Sequence, residues 1–152
     1  MQNQSSSNQT YIKDLKPNLK NLNLQAIVLD ICKPTQTKDG NEVRSVRIAD
    51  RSGSINLSVW NNYGSLLKEG DIIKLTGCYT QIWKLSLQLK ISTKGTLFKC
   101  GDFMMIFSEQ PDMSVLSAGK ILIYIKYNRI ISIIHSIFRR SKNGPRTTSW
   151  KN

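Results

Sequence analysis

Residues 84–92, KLSLQLKIS, alternate polar and apolar side chains without a break, and a period of two over that length fits a half-buried β-strand. The same texture returns along the chain. LNLQAIVLDIC at 22–32 is apolar and β-prone, VRSVRIAD at 43–50 and SINLSVW at 54–60 alternate, and GDIIKLTGCYTQIW at 70–83 begins as a strand. Asp39-Gly40 and Arg51-Ser52-Gly53 supply reversals between the first three. Asn61 to Lys68 breaks the strand pattern and predicts a short helix that ends before Gly70. Five strands with one small helix between the third and fourth, and no βαβ spacing, predict an all-β fold: a small closed antiparallel barrel. Its core is expected from Ile27, Leu29, Val46, Ile48, Ile55, Leu57, Val59, Leu85, Leu87, Leu89 and Ile91. GTLFKCGDF leads into MMIFSE at 104–109, a last short extended piece.

The organisation follows from composition. Residues 1–10 are polar almost throughout and are expected to be disordered, because they bury nothing to offset chain entropy. Residues 11–112 form the folded domain, and 113–152 a basic, isoleucine-rich tail, helical or disordered. The net charge of +12 is uneven: residues 1–114 hold 14 basic and all 10 acidic side chains, whereas residues 115–152 hold 8 basic and none acidic. Such an excess favours a polyanionic partner. Lys126, Arg129 and His135 interrupt the apolar stretch of the tail, so no membrane span is expected. The polar beginning lacks the apolar stretch of a secretory signal, and the protein is expected to be intracellular. Three cysteines without CxxC spacing and a single histidine assemble no familiar zinc set, and the plain reading is buried free thiols.

Parity along the strands gives the sharpest functional clue. Ile55, Leu57 and Val59 share the core face, which leaves Trp60 on the polar face with Ser54, Asn56 and Ser58. An outward tryptophan either packs under the segment at 61–68 or offers a platform on which a base stacks. On the fifth strand Lys84, Ser86, Gln88 and Lys90 point outward, a basic face without acid that suits a phosphate backbone; Ser45 and Arg47 extend it. Tyr79 and Trp83 share parity with Ile73 and Leu75. An unbroken strand turns both aromatics inward, and a bulge at Gly77 turns both out beside Trp60; the bulge is the expectation. No catalytic constellation and no phosphate loop is present, so a non-enzymatic binding module without cofactor is expected.

Three stretches, YIKDLKPNLKNLNL at 11–24, TKDGNEVRSVRIADRSGSINLSVW at 37–60 and KEGDIIKLTGCYTQIWK at 68–84, together with GDFMMIFSEQPDMS at 101–114, resemble a known family. It is the B subunit of the sensor-of-single-stranded-DNA (SOSS) complex, the simple eukaryotic single-stranded DNA-binding proteins. The resemblance implies one five-stranded OB-fold that binds single-stranded DNA in the nucleus, within the response to DNA damage and repair of double-strand breaks by homologous recombination. It implies that Trp60, Tyr79 and Trp83 stack on bases; Lys90 stands where the family has a further tyrosine, which exchanges a stacking contact for a phosphate contact. It also implies docking on an Integrator-related scaffold subunit through Asp102 and Phe103. The resemblance ends at Ser114. Every valine codon begins with GT, the opening of a usual splice donor, so an alternative exon or retained intron is expected to begin at Val115. An RNA-binding OB module would use the same aromatics, and a basic amphipathic membrane-surface protein would rest on the tail alone.

Overall fold

The computed structural model describes residues 8–142. The chain divides into two units, Met1–Leu116 and Ser117–Asn152. In the first unit the strands are β1 (Leu22–Ile31), β2 (Thr35–Gln36), β3 (Glu42–Asp50), β4 (Gly53–Trp60), β5 (Asp71–Trp83) and β6 (Ser86–Asp102), with helix α1 (Asn62–Leu66) between β4 and β5. They pair in the order β1-β5-β6-β4-β3-β2, and β1 also pairs with β3, so five strands close on themselves.

The sheet therefore has six strands where the sequence predicts five. The extra one, β2, is two residues long and hangs on the edge of β3 outside the ring, and α1 falls between the fourth and fifth strands of the chain. Nor is the barrel wholly antiparallel: β4 and β6 run parallel over Asn56–Gln88 to Ser58–Lys90. A ring with an odd number of strands cannot alternate direction at every pairing, so closure forces one parallel seam.

The core holds the expected alternation. Val46, Ile48, Ile55, Leu57 and Leu89 are fully buried, joined by Ile73 and Leu75 of β5. Three expected core residues depart. Leu85 is half exposed because it occupies the hairpin turn between β5 and β6, and Leu29 and Ile91 are only partly buried. Leu29 lies at a register shift between Val28 and Asp30, and packs against the small cluster of Ile27, Ala49 and Ile72. The segment at 94–102, which the alternation did not assign to a strand, continues β6 and pairs back along Ile72 to Thr76 of β5. The piece at 104–109 is not a strand.

Buried Asp50 closes one end. Its carboxylate accepts the Ile12 N–H at 2.9 Å and the Ser52 N–H at 2.7 Å, tying a 3-10 turn (Ile12–Asp14) to the β3–β4 turn. Only Cys78 is a buried thiol, its pKa pushed up to about 12 by burial; Cys32 and Cys100 are exposed, against expectation. The compact unit also runs past Asp112. The buried Ser114 bridges the seam, its hydroxyl accepting the Asn56 N–H at 2.7 Å while its carbonyl accepts the Leu87 N–H at 3.2 Å.

Among the described residues the second unit contains one helix, α2 (Ala118–Lys142). It is long and apolar enough to cross a membrane by length and composition, although Lys126, Arg129 and His135 lie within it. Of residues 1–10, expected to be disordered, 1–7 lie outside the described residues, as does the basic end at 143–152, and Thr10 donates its N–H to the Asn23 carbonyl at 2.8 Å.

Candidate nucleic-acid interface

The outward turn of the aromatics is a matter of register. In β5, Ile73 and Leu75 are buried, then Cys78, Thr80 and Ile82 are; the parity changes at Gly77. Gly77 has φ +63° and sits at a register shift against β6, so the bulge expected there is present. A Cβ on Gly77 would lie 3.0 Å from Gly95 Cα, which means two backbones cross closely at this point. Beyond the bulge, Tyr79, Gln81 and Trp83 face outward.

Trp60 needs no bulge. It ends β4 opposite Val43, and Asn61, in a left-handed conformation, immediately fixes the exit. The Asn61 N–H donates to the Glu42 carbonyl at 2.7 Å, and its side-chain oxygen accepts the Glu42 N–H at 3.1 Å. Trp60 is therefore not tucked under α1; it is 44% exposed, and Trp83 is 54% exposed.

Between the two indoles lies a groove of about 490 Å³, lined also by Arg44, Ser58, Lys84, Gln88 and Lys90 and by the threonines of the β2 segment. Its lining contains no carboxylate. Lys90 lies with Nζ 5.6 Å from the Trp83 ring centre and donates to Gln81 Oε1 at 3.0 Å. An ammonium at that distance attracts the ring face and steadies it. Ser58 donates to Gln88 Oε1 at 2.9 Å, joining β4 to β6 across the parallel seam. Lys84 (φ 48°) and Leu85 (φ 61°) form a two-residue hairpin turn with both central residues left-handed, which sets Lys84 at the groove's end.

The groove thus assembles Trp60, Trp83, Lys84, Gln88 and Lys90 of the expected set. Tyr79 is half-buried on the same face, paired with Lys90, and does not line it. Arg47 also stays outside. It shares the outer face but lies toward the Gly53 end of the β3–β4 ladder, where its Nη2 sits 3.6 Å from Glu109 and 3.5 Å from Asp112 and donates to Ser54 Oγ. Carboxylates more than sixty residues downstream hold it to the closing segment, a tertiary contact that parity on β3 does not reveal.

Arg44 is the residue sequence reasoning passed over. Its parity matches inward Val46, yet it stands at the strand end beyond the core. Its stem packs where a Cβ on Gly64 of α1 would be 2.8 Å from its Cδ, and its guanidinium pairs with Glu42 Oε1 at 2.8 Å. The glycine at 64, which leaves room for a long side chain, was the available signal.

Asp102 ends β6 opposite Asp71, at the start of β5, and Phe103 follows it. Phe103 is 76% exposed, its N–H bonded to the Gly70 carbonyl at 2.9 Å, and its ring covers the glycine so closely that no Cβ fits there. Met104 and Ile106 extend the exposed apolar run, while Met105 turns in against Ile27 and Ile72. Beside this edge, buried Asp71 meets Lys99 Nζ at 2.8 Å and accepts the Lys68 N–H at 2.9 Å. Burial alone would raise the Asp71 pKa, but the hydrogen bonds from Lys99 and Lys68 outweigh it and hold the carboxyl below its ordinary value. A depressed folded pKa gives stability that is present above the unfolded value and lost as pH falls through the folded one. Asp71→Asn should therefore flatten the acid limb of the pH–stability curve below about pH 4. An unchanged limb in chemical denaturation at several pH values would exclude Asp71 as its source.

No family model matches the chain. It is 28% identical over 86 residues to the single-stranded DNA binding protein Ssb of Saccharolobus solfataricus, a match covering 55% of this chain and 58% of that relative's length. Among solved structures, it resembles a hypothetical protein from Arabidopsis thaliana with a TM-score of 0.61, at 16% identity, over 77% of this chain and 90% of that one. It also resembles the second OB-fold domain of replication protein A from Methanococcus maripaludis with a TM-score of 0.50, at 24% identity, over 63% of this chain and 98% of that one. At these identities the likeness establishes the fold: the sheet of this chain, five strands closed in a ring with β2 on its edge, is an OB-fold.

Proposed function

We propose that this chain binds single-stranded DNA in the groove between Trp60 and Trp83. One observation carries the reading: two large aromatics stand exposed on either side of a groove lined with Arg44, Lys84 and Lys90 and no acid. Base–aromatic stacking needs bases that are already unstacked, and lysines along the groove meet the phosphates between them. The similarity to the single-stranded DNA binding protein Ssb supports the same class of ligand. The direct test is fluorescence anisotropy with a labelled oligonucleotide as single strand, as duplex and as the matched RNA, at two salt concentrations. Single-stranded DNA should bind about tenfold tighter than duplex or more, since stacked duplex bases cannot reach the indoles. Equal affinity for duplex would sink the proposal, and tighter RNA binding would transfer it to RNA.

The finer reading is that the chain serves as the DNA-binding subunit of a single-stranded DNA sensor complex in the nucleus, acting in double-strand break repair. Its scaffold contact is the edge at Asp102 and Phe103. The support is the sequence resemblance together with the exposed apolar run at Phe103, Met104 and Ile106, which leaves the β5 end opposite Trp83 free for a partner. Asp102→Ala with Phe103→Ala should abolish co-purification with the scaffold subunit while oligonucleotide affinity stays within about twofold, because no groove residue is touched. Loss of both together would mean one shared surface or a damaged fold.

A further inference from the structure

We propose that α2 lies on the surface of an anionic lipid bilayer, giving the protein a membrane-contacting activity separate from its groove. In α2, Ile123, Tyr127, Ile130, Ile134 and Ile137 recur at steps of four and three, which places them along one face, and all are exposed. Arg129, Ser132, Ser136 and Arg139 fall on the opposite face, Arg140 at its border, and Lys126 flanks the apolar stripe. The turns at Ile121–Ile125 are apolar all round, so this end can sink deeper than the rest.

Charge selects the occupant. α2 contains six basic side chains and no Asp or Glu. A second copy packed on the isoleucine face would bring Lys126, which flanks that face, near its like, and would leave the arginines of the other side with no counter-charge. A nucleic acid strand would satisfy the arginines but leave the isoleucine face in water. An anionic bilayer meets both demands, with headgroup charge for the arginines and acyl chains for the isoleucines. The same two-faced pattern argues against a span, which would draw Arg129 and Lys126 through the hydrocarbon centre.

The test is flotation of the full chain with vesicles of phosphatidylcholine alone or with added phosphatidylserine. The chain should float with the anionic vesicles only, and an alkaline wash should release it. Arg129→Gln, Arg139→Gln and Arg140→Gln together should weaken partitioning by about 100-fold, each surface charge contributing about a factor of five. Ile130→Asn with Ile134→Asn should weaken it by about tenfold or more. Both variants should keep single-strand affinity and the thermal melt of the barrel. Absence of flotation overturns the proposal. If the isoleucine variant then turns a self-associated chain into a monomer in sedimentation, the face belongs to a second copy. If instead the arginine variant loses oligonucleotide affinity, the basic face serves nucleic acid. Binding that resists the alkaline wash also overturns it, in favour of a span.

Discussion

Exchange of Trp60 and Trp83 together for alanine should lower the single-strand affinity of a chain ended after Leu116 by roughly 100-fold or more, about 2.7 kcal/mol. Each stacked base is worth about 1–3 kcal/mol, and the two indoles stand far enough out to serve one base each. The charge available to this unit is small by comparison, with a net +4 over residues 1–114. The salt dependence should hardly change, because Arg44, Lys84 and Lys90 remain to release counterions. The complementary pair, Lys84→Gln with Lys90→Gln, should reverse the pattern. It should cost less affinity at moderate salt and reduce the slope of log K against log salt by about 1.4, or 0.7 for each lost phosphate contact. Lys90→Gln also removes the ammonium over Trp83, so its cost should exceed that of Lys84→Gln. Titration by fluorescence anisotropy at three salt concentrations measures both quantities. A folded double-tryptophan variant that binds within about twofold of the parent would show that the indoles are packing residues and would remove the basis of the assignment.

Gly77→Val should destabilise the barrel by about 3 kcal/mol. Two costs add at this position. A β-branched residue held at φ +63° is strained by about 1–3 kcal/mol, and its Cβ meets the Gly95 backbone at 3.0 Å, where overpacking costs a similar amount. Gly40 separates the two effects, since it has φ +78° and nothing within 4 Å of a Cβ. Gly40→Val should therefore show the strain alone, about 1–2 kcal/mol. Binding should fall with Gly77→Val as well, because the bulge is what turns Trp83 outward. If the chain relieves the clash by closing the bulge, Trp83 moves toward the core and its fluorescence shifts to shorter wavelength. Equal losses for the two variants in urea denaturation would show that the backbone crossing at Gly95 is not tight.

How much of this was legible beforehand depended on the range of the interaction. Alternation at 54–60 and 84–92 set which residues of β4 and β6 face the core, and it placed Trp60, Gln88 and Lys90 outward without knowledge of any partner strand. Gly77 marked the bulge because an interior glycine in a strand usually has a backbone reason to be there. These are local properties, and period-two geometry transmits them directly. Leu85 broke the same rule because the hairpin turn, and not the strand, claimed it. The length of β6 was hidden for a related reason: residues 94–102 look irregular alone, and become a strand only by pairing with the first half of β5.

The sequence by itself therefore determined the mostly-β class, the faces of β4 and of the first half of β6, and the outward Trp60, because side-chain alternation is written residue by residue; Trp83 needed the glycine at 77 as well. Tertiary structure alone decided that Arg47 faces Glu109 and Asp112, that Arg44 enters the groove over Gly64, and that Ser114 bridges β4 and β6. Each of those placements joins residues twenty or more positions apart. Strand pairing and the packing of the 109–114 segment bring them together, and no local period encodes either.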